Sequence, residues 1–327
     1  MVDLSRRRFL GVAAGATIAA GTAGTASAMR IGTGREWQPV SSPTDRTLHD
    51  VALADGTAYA VGGGGVVLER TDEGWRTLIA NGPHDDGSNL HAAAGDGDGR
   101  VWIAGASGAL AVLDAATGTV TSHRSPDDVT NQFTDIEVAG TGDDATVYVT
   151  DSSGHVHASS GRNDRRDWTH VTPGSGAAIR AVSCRNGRTV VVDTNTDVFE
   201  THDGGATWHR FGIDDADAGF RDVTLAGNSA HIVGGALYSE TGGGWDVADP
   251  CEATLYDVEI GSCGCVHAVG ADGTILHRPG RGIPYGATLA KWLGRWDTTN
   301  PVSETLHGFV LGPPHVAVGA SGTIIER

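Results

Sequence analysis

Short apolar stretches alternate with polar turns along the chain, and one order of stretches recurs seven times. Each copy opens on an apolar residue, two variable residues and an apolar strand. A tight turn, a β-rich strand ending near glycine, a small loop and another apolar strand follow. The copies begin at Leu48, Leu90, Phe133, Ile179, Phe220, Leu255 and Leu306, where they read LHDVAL, LHAAAG, FTDIEV, IRAVSC, FRDVTL, LYDVEI and LHGFVL. Second strands read AYAVG, VWIAG, VYVTD, VVVD, HIVGG, VHAVG and VAVG; third strands read VVLER, ALAVLD, HVHAS, VFETH, ALYSE, TILHR and TIIER. Runs this short, rich in Val, Ile, Tyr and Thr and bounded by turn formers, predict strands rather than helices. A tryptophan marks a fourth strand at Trp75, Trp168, Trp208, Trp245 and Trp296.

The starts lie 42, 43, 46, 41, 35 and 51 residues apart, close to the length of one four-stranded unit. Such a sheet cannot bury both faces alone, so each copy must stack against two neighbours, and radial stacking makes a ring. The expected fold is all-β, a seven-bladed β-propeller over residues 29–327. Its last copy ends at Arg327, one strand short. Glu36-Trp37-Gln38-Pro39-Val40 supplies a spare strand whose Trp37 matches the fourth-strand tryptophans. Paired beside residues 323–326 it would complete the last blade and remove the open edges. A β-sandwich or solenoid explains neither the count nor the spare strand.

The N-terminus is of another kind. Ser5-Arg6-Arg7-Arg8-Phe9-Leu10 has the form of a twin-arginine export motif, Gly11 to Gly24 is weakly apolar, and Ala26-Ser27-Ala28 offers small residues for cleavage. The expectation is a signal segment over residues 1–28, cut near Ala28, and a secreted product. No Cys stands at that point, so no lipid anchor is expected there. No later stretch is apolar and long enough to span a membrane as a helix.

Charge narrows the partners. The chain carries 40 acidic against 23 basic side chains, a net charge of −17, and Lys291 is its sole lysine. An acidic surface nearly free of lysine stays hydrated and self-repelling in concentrated salt, which points to a halophilic source. The same field opposes nucleic acid and anionic lipid. The cysteines are Cys184, Cys251, Cys263 and Cys265, which outside the cell allow three complete pairings. Cys263-Gly264-Cys265 is half of a thiolate metal site with no second half in the sequence, so a disulfide or structural cysteine is expected before zinc.

Thr201-His202-Asp203-Gly204-Gly205-Ala206-Thr207-Trp208 matches the Asp-box, or BNR, pattern (S/T)-x-D-x-G-x-(T/S)-W at every defined position. Weaker copies stand at Thr71-Asp72-Glu73-Gly74-Trp75 and at Ser239-Glu240-Thr241-Gly242-Gly243-Gly244-Trp245. A Val-Gly step recurs at Val61-Gly62, Val269-Gly270 and Val318-Gly319. In these features the chain resembles the seven-bladed propellers related to photosystem II assembly factors, over essentially all of residues 29–327. The resemblance implies a non-catalytic, cofactor-free scaffold that grips another protein, here an unidentified partner that includes cell-envelope proteins among its candidates, bound by a monomer. It also implies a structural role on the outer rim for Thr201, Asp203, Gly205 and Trp208, whose side chains would satisfy local turn amides.

Asp-boxes also occur in sialidases, so the alternative is an extracellular carbohydrate-binding or glycoside-hydrolysing propeller. Those enzymes resemble six-bladed propellers with an arginine triad, a Tyr–Glu pair and an early F/Y-R-I-P string. Here there are seven repeats, and the nearest string, Arg281-Gly282-Ile283-Pro284, falls late. No carboxylate pair can be assigned to a shared cleft, and no GxSxG, HExxH or Walker pattern is present. No catalytic residue and no metal ligand is therefore assigned.

The repeat register does single out one set of side chains. The residue after each opening apolar position is His49, His91, Thr134, Arg180, Arg221, Tyr256 and His307. First strands line a propeller's channel, so His307, His49 and His91 should share one arc of its rim, with Arg180 and Arg221 opposite. The next position holds Asp50, Asp135, Asp222 and Asp257. Two readings stand. His49, His91, Arg180, Arg221, Tyr256 and His307 form a pocket for a metal ion or an acidic group. Or the His and Arg side chains bond the neighbouring aspartates and staple the blades. A second candidate surface is the irregular stretch from Gly280 to Arg295, which either packs on the ring or presents a hydrophobic contact.

Overall fold

The structure is a computed structural model that describes residues 36–141, 145–162, 165–214, 216, 219–280 and 296–327. The expected signal segment and the stretch 281–295 lie outside the described residues. After a short strand β1 (Gln38–Pro39), blade one is β2 (Leu48–Ala54), β3 (Thr57–Gly62), β4 (Val67–Thr71) and β5 (Gly74–Ile79). Blade two is β6 (Leu90–Gly95), β7 (Arg100–Gly105), β8 (Leu110–Asp114) and β9 (Val120–Ser122). Blade three is β10 (Phe133–Ala139), β11 (Thr146–Asp151), β12 (Val156–Arg162) and β13 (Arg165–Val171). Blade four is β14 (Ile179–Arg185), β15 (Arg188–Asp193), β16 (Val198–Thr201) and β17 (His209–Arg210). Blade five is β18 (Asp222–Ala226), β19 (Ser229–Val233), β20 (Leu237–Thr241) and β21 (Gly244–Ala248). Blade six is β22 (Leu255–Ile260), β23 (Val266–Gly270), β24 (Ile275–Arg278) and β25 (Asp297–Thr299). Blade seven has β26 (Leu306–Val310), β27 (Val316–Gly319) and β28 (Ile324–Glu326), and β1 as its outer strand.

The two-residue period of each strand divides its side chains between two interfaces. In β3, Tyr59 and Val61 face blade two, packing with Val101, Ile103 and Leu113. Ala58 and Ala60 face blade seven, packing with Val316, Val318 and Ile324. The other five blade boundaries hold apolar clusters of the same kind, so the ring has no open side. This is the seven-bladed β-propeller that the repeats predict.

The spare N-terminal strand closes blade seven in a shorter form than the five residues proposed. Gln38 pairs Glu326 and Pro39 pairs Ile325, and the Val40 N–H donates to the Ile324 carbonyl at 3.0 Å. Proline is tolerated because β1 is an outer edge. Trp37 is buried and meets the Phe309 ring edge-on at 5.8 Å.

The Val-Gly step has a steric cause. A Cβ on Gly62 would lie 2.2 Å from the Thr47 carbonyl oxygen, and Gly105, Gly270 and Gly319 meet the same obstacle at 2.1–2.3 Å. The close approach lets the next residue's N–H bond that carbonyl, as Gly63 does to Thr47 at 2.9 Å. Blades three and four use Asp151 and Asp193 at this position instead. Each carboxylate accepts two amides of the turn that follows, Asp151 from Ser153 and His155, Asp193 from Asn195 and Asp197.

Candidate site at the channel mouth

Six of the seven blades begin with a β-bulge. Leu48 pairs Gly62 and Asp50 pairs Val61, so His49 has no partner in β3. The same skip leaves out His91, Thr134, Arg180, Tyr256 and His307. In blade five the strand opens at Asp222, two residues later than the repeat suggests, because Phe220 is buried outside the ladder while the Arg221 N–H bonds the Val233 carbonyl at 2.8 Å. A bulge re-aims the extra residue's side chain. Here all seven turn to one opening, a cup of about 240 Å³ that Gln132 also lines. The six residues taken from the register, His49, His91, Arg180, Arg221, Tyr256 and His307, are thus brought together.

They form a belt. Ring centroids are 5.5 Å apart for His91 and His49, 6.0 Å for His49 and His307, and 5.1 Å for His307 and Tyr256. The Arg221 guanidinium lies 5.3 Å from the Tyr256 ring centre, within cation–π range. Burial, then the nearby His91 and His307, push the His49 pKa down to about 4, and burial lowers that of His307. Both imidazoles are therefore neutral near pH 7. Burial and then Arg221 lower the Arg180 pKa, and neither guanidinium has an ion-pair partner among the described residues. The belt ends in these two adjacent guanidiniums.

The metal reading of this arc is not favoured by its geometry. Among the described residues, the groups that bring three possible ligand atoms within 4.8 Å of one another lie elsewhere. The stapling reading needs a different donor. Blades are tied by the aspartates, but to backbone amides and not to His or Arg. Asp50 accepts the Ala93 N–H at 2.8 Å, Asp135 that of Val182 at 2.7 Å, Asp222 that of Val258 at 2.9 Å and Asp257 that of Phe309 at 2.6 Å. Each also reaches a neighbouring blade, and an interblade amide left unpaired would cost about 1–3 kcal/mol. Of the belt itself, His91 Nδ1 lies 2.9 Å from the Phe133 carbonyl and the Thr134 hydroxyl donates to the Ile179 carbonyl at 2.7 Å. These two positions are part staple, part rim.

The channel holds a cavity of about 370 Å³ that the belt shares with Asp50, Asp135, Glu137, Asp222, Asp257 and Glu259. Burial is the main cause raising all six pKa values: Asp50 to about 7, Asp222 to about 6 and Glu259 to about 8, with neighbouring carboxylates adding to the push on Asp50 and Glu259. Asp135, Glu137 and Asp257 are held well above the usual range in the same way. The sequence reading missed Glu137 and Glu259. Their signal was present, since each follows a channel aspartate by two residues and so faces the same side of the strand.

The Asp-box segment folds into a self-satisfied turn between β16 and β17. The Thr201 hydroxyl donates to Asp203 at 2.7 Å and accepts from the Gly205 amide at 3.1 Å. Thr207 donates to Asp203 through its amide at 2.9 Å and its hydroxyl at 2.5 Å, and the Trp208 indole donates to the Gly205 carbonyl at 3.1 Å. These bonds hold the Asp203 carboxyl well below its usual range. None of these five residues lines the cup or the channel. Among the cysteines, Cys263 and Cys265 are bonded to each other, while Cys184 and Cys251 are free.

No family model matches the chain, and no curated protein matches its sequence. Solved structures do. A YCF48 protein bound to D1 peptide superposes with a TM-score of 0.69 at 13% identity, covering 89% of this chain and 94% of that one. YCF48 from Cyanidioschyzon merolae gives 0.66 at 14% identity, with 89% and 98% covered. The WD40 β-propeller domain of Doa1 gives 0.66 at 10% identity, with 89% and 96% covered. At such identities the likeness is one of architecture, and it makes the chain, on independent grounds, a seven-bladed β-propeller.

Proposed function

We propose that this protein is a non-catalytic interaction scaffold that holds an extended segment of a partner protein at the channel mouth by an anionic group. The observation that carries this reading is the pair of guanidiniums, Arg180 and Arg221, neither in an ion pair among the described residues, set at the edge of a cup that His49, His91, His307 and Tyr256 line with their rings. A guanidinium fork binds carboxylates in two-pronged fashion, and His307, His49 and Tyr256 offer apolar faces beside it. That a YCF48 propeller of like architecture is seen with a peptide supports a peptide as the class of ligand. Export through the twin-arginine route, cleavage near Ala28 and function as a monomer in concentrated salt belong to the same reading. In such salt charges interact over only about 3 Å, so the exposed guanidiniums must act by direct contact with the anionic group, helped by the ring contacts. The charge of −17 speaks against nucleic acid.

The test is a pull-down from native membranes in molar salt, using the mature chain and an Arg180→Ala/Arg221→Ala variant. The expected result is a partner retained by the wild type and weakened about tenfold or more in the variant. Equal retention by both would refute the mouth as the docking site, and turnover of sialosides or other glycosides by the pure protein would refute the scaffold reading.

A further inference from the structure

Blade three carries a cluster that the channel does not use. Asp151 ends β11, His155 lies in the following turn, His157 is in β12, and His170 is the cross-strand partner of His157 in β13. His155 Nδ1 and His157 Nε2 stand 3.0 and 2.9 Å from the same oxygen of Asp151, Oδ2. The three imidazoles form a near-equilateral triangle, with centroids 5.9, 5.5 and 5.6 Å apart. Asp151 Oδ2, His155 and His157 each offer a ligand atom within 4.8 Å of the others.

The molecule contains its own control. Asp193 occupies the same turn of blade four and accepts the same two turn amides, yet Asp197, Phe199 and Arg210 stand where blade three has His155, His157 and His170. The turn therefore needs its aspartate but not the histidines. At the His157 position the other six blades hold Leu68, Ala111, Phe199, Tyr238, Leu276 and Ile325, all buried. His157 is just as buried, 1% exposed, so blade three has given up an apolar contact for an imidazole aimed at a carboxylate. Packing alone gives no reason for that exchange, nor for a third imidazole across the strand.

We propose that Asp151, His155, His157 and His170 form a binding site for a divalent first-row transition metal ion, Zn²⁺ in the first instance. Three imidazoles and a carboxylate suit such ions, and neutral imidazole is the ligand they take most readily. Tetrahedral Zn²⁺ with bonds of about 2.0–2.1 Å sets its ligand atoms about 3.3 Å apart. The two observed N–O distances would need to open by only a few tenths of an ångström, while His170, outside the set within 4.8 Å, would have to turn in toward the other three. Asn131 already donates to Asp151 Oδ2 at 2.8 Å, in the outer position that orients a ligating carboxylate. The Ser152 amide bonds the Gln132 carbonyl at 3.0 Å, so the ion would brace the turn beside a residue that lines the cup.

The experiment is titration of the metal-free mature chain with Zn²⁺ by calorimetry, and with Co²⁺ by visible absorption, for the wild type, His170→Ala and His155→Ala/His170→Ala. His170 is exposed and makes no hydrogen bond to the Asp151 carboxylate, so its removal should leave the metal-free melting temperature unchanged. The proposal expects one saturable site per chain, a Co²⁺ spectrum without a thiolate band, and affinity at least about tenfold weaker in His170→Ala. A thiolate band, which would require the Cys263–Cys265 disulfide to be reduced, or Zn²⁺ affinity unchanged in the double variant would place binding elsewhere, as at the Cys265, His267 and His277 group, and overturn the proposal. So would the absence of saturable binding by the wild type.

Discussion

Glu326, in the last strand of blade seven, accepts the Arg70 guanidinium of blade one at 2.8 and 3.2 Å. The Trp75 indole of blade one donates to the same carboxylate at 2.9 Å, and Gln38 of β1 pairs with Glu326 in the sheet. One residue therefore ties the closing strand, the seventh blade and the first. The pair is half-buried, and it sits on the seam the chain must close.

Deleting residues 35–43 removes β1 and the buried Trp37, and reopens blade seven at an edge. The expected outcome is loss of soluble folded protein, followed by circular dichroism and gel filtration in molar salt. Glu326→Ala should be milder and lower stability by about 1–2 kcal/mol, because the Trp75 and Arg70 donors lose their acceptor. A deletion mutant as stable as the full chain would show that closure does not depend on β1.

The channel carboxylates make stability fall as pH rises. Glu259, held at about 8, and Asp50, at about 7, bind protons in the folded protein that the unfolded chain has already released. Their stabilising protonation is present at low pH and is lost through pH 6–8. The depressed histidines act the other way: His49 and His231, each near 4, and His267, near 3, favour the folded state as pH rises to about 6.5. Above that point only the carboxylates remain, so chemical denaturation at fixed salt should show stability declining from pH 6.5 to 8.5. Glu259→Gln should flatten the decline and stabilise the protein at pH 8 by on the order of 1 kcal/mol or more, one pKa unit being worth about 1.4 kcal/mol. A variant that parallels the wild type across this range would contradict the assignment.

Dilution should unfold the protein. A net charge of −17 repels itself over about 30 Å at 0.01 M salt but over only about 3 Å at 1 M. The melting temperature is expected to drop steeply between molar and millimolar potassium chloride. An unchanged melting temperature would remove the case for a halophilic protein.

Much of the architecture is legible in the sequence. Seven apolar openings, the Val-Gly steps and the spare Trp37 segment specify a ring because each states a local requirement. A strand must alternate, a glycine must admit the Thr47 carbonyl at 2.2 Å, and a last blade must find a fourth strand. The repeat register also named the belt residues, since a bulge in the same place of each blade turns the same position to the mouth. What the register could not say was which groups bond. The aspartates reach across to the amides of Ala93, Val182, Val258 and Phe309, partners 36–52 residues away, and not to the histidines and arginines of the belt. Likewise His170 lies 13 positions beyond His157 in the chain and faces it only because β12 and β13 pair in that register. Local pattern determined the blades, since strand and turn preferences act over a few residues. Only the closed tertiary structure decided the chemistry at the mouth and in blade three, because hydrogen bonds and metal ligands depend on ångström distances between strands that the sequence keeps apart.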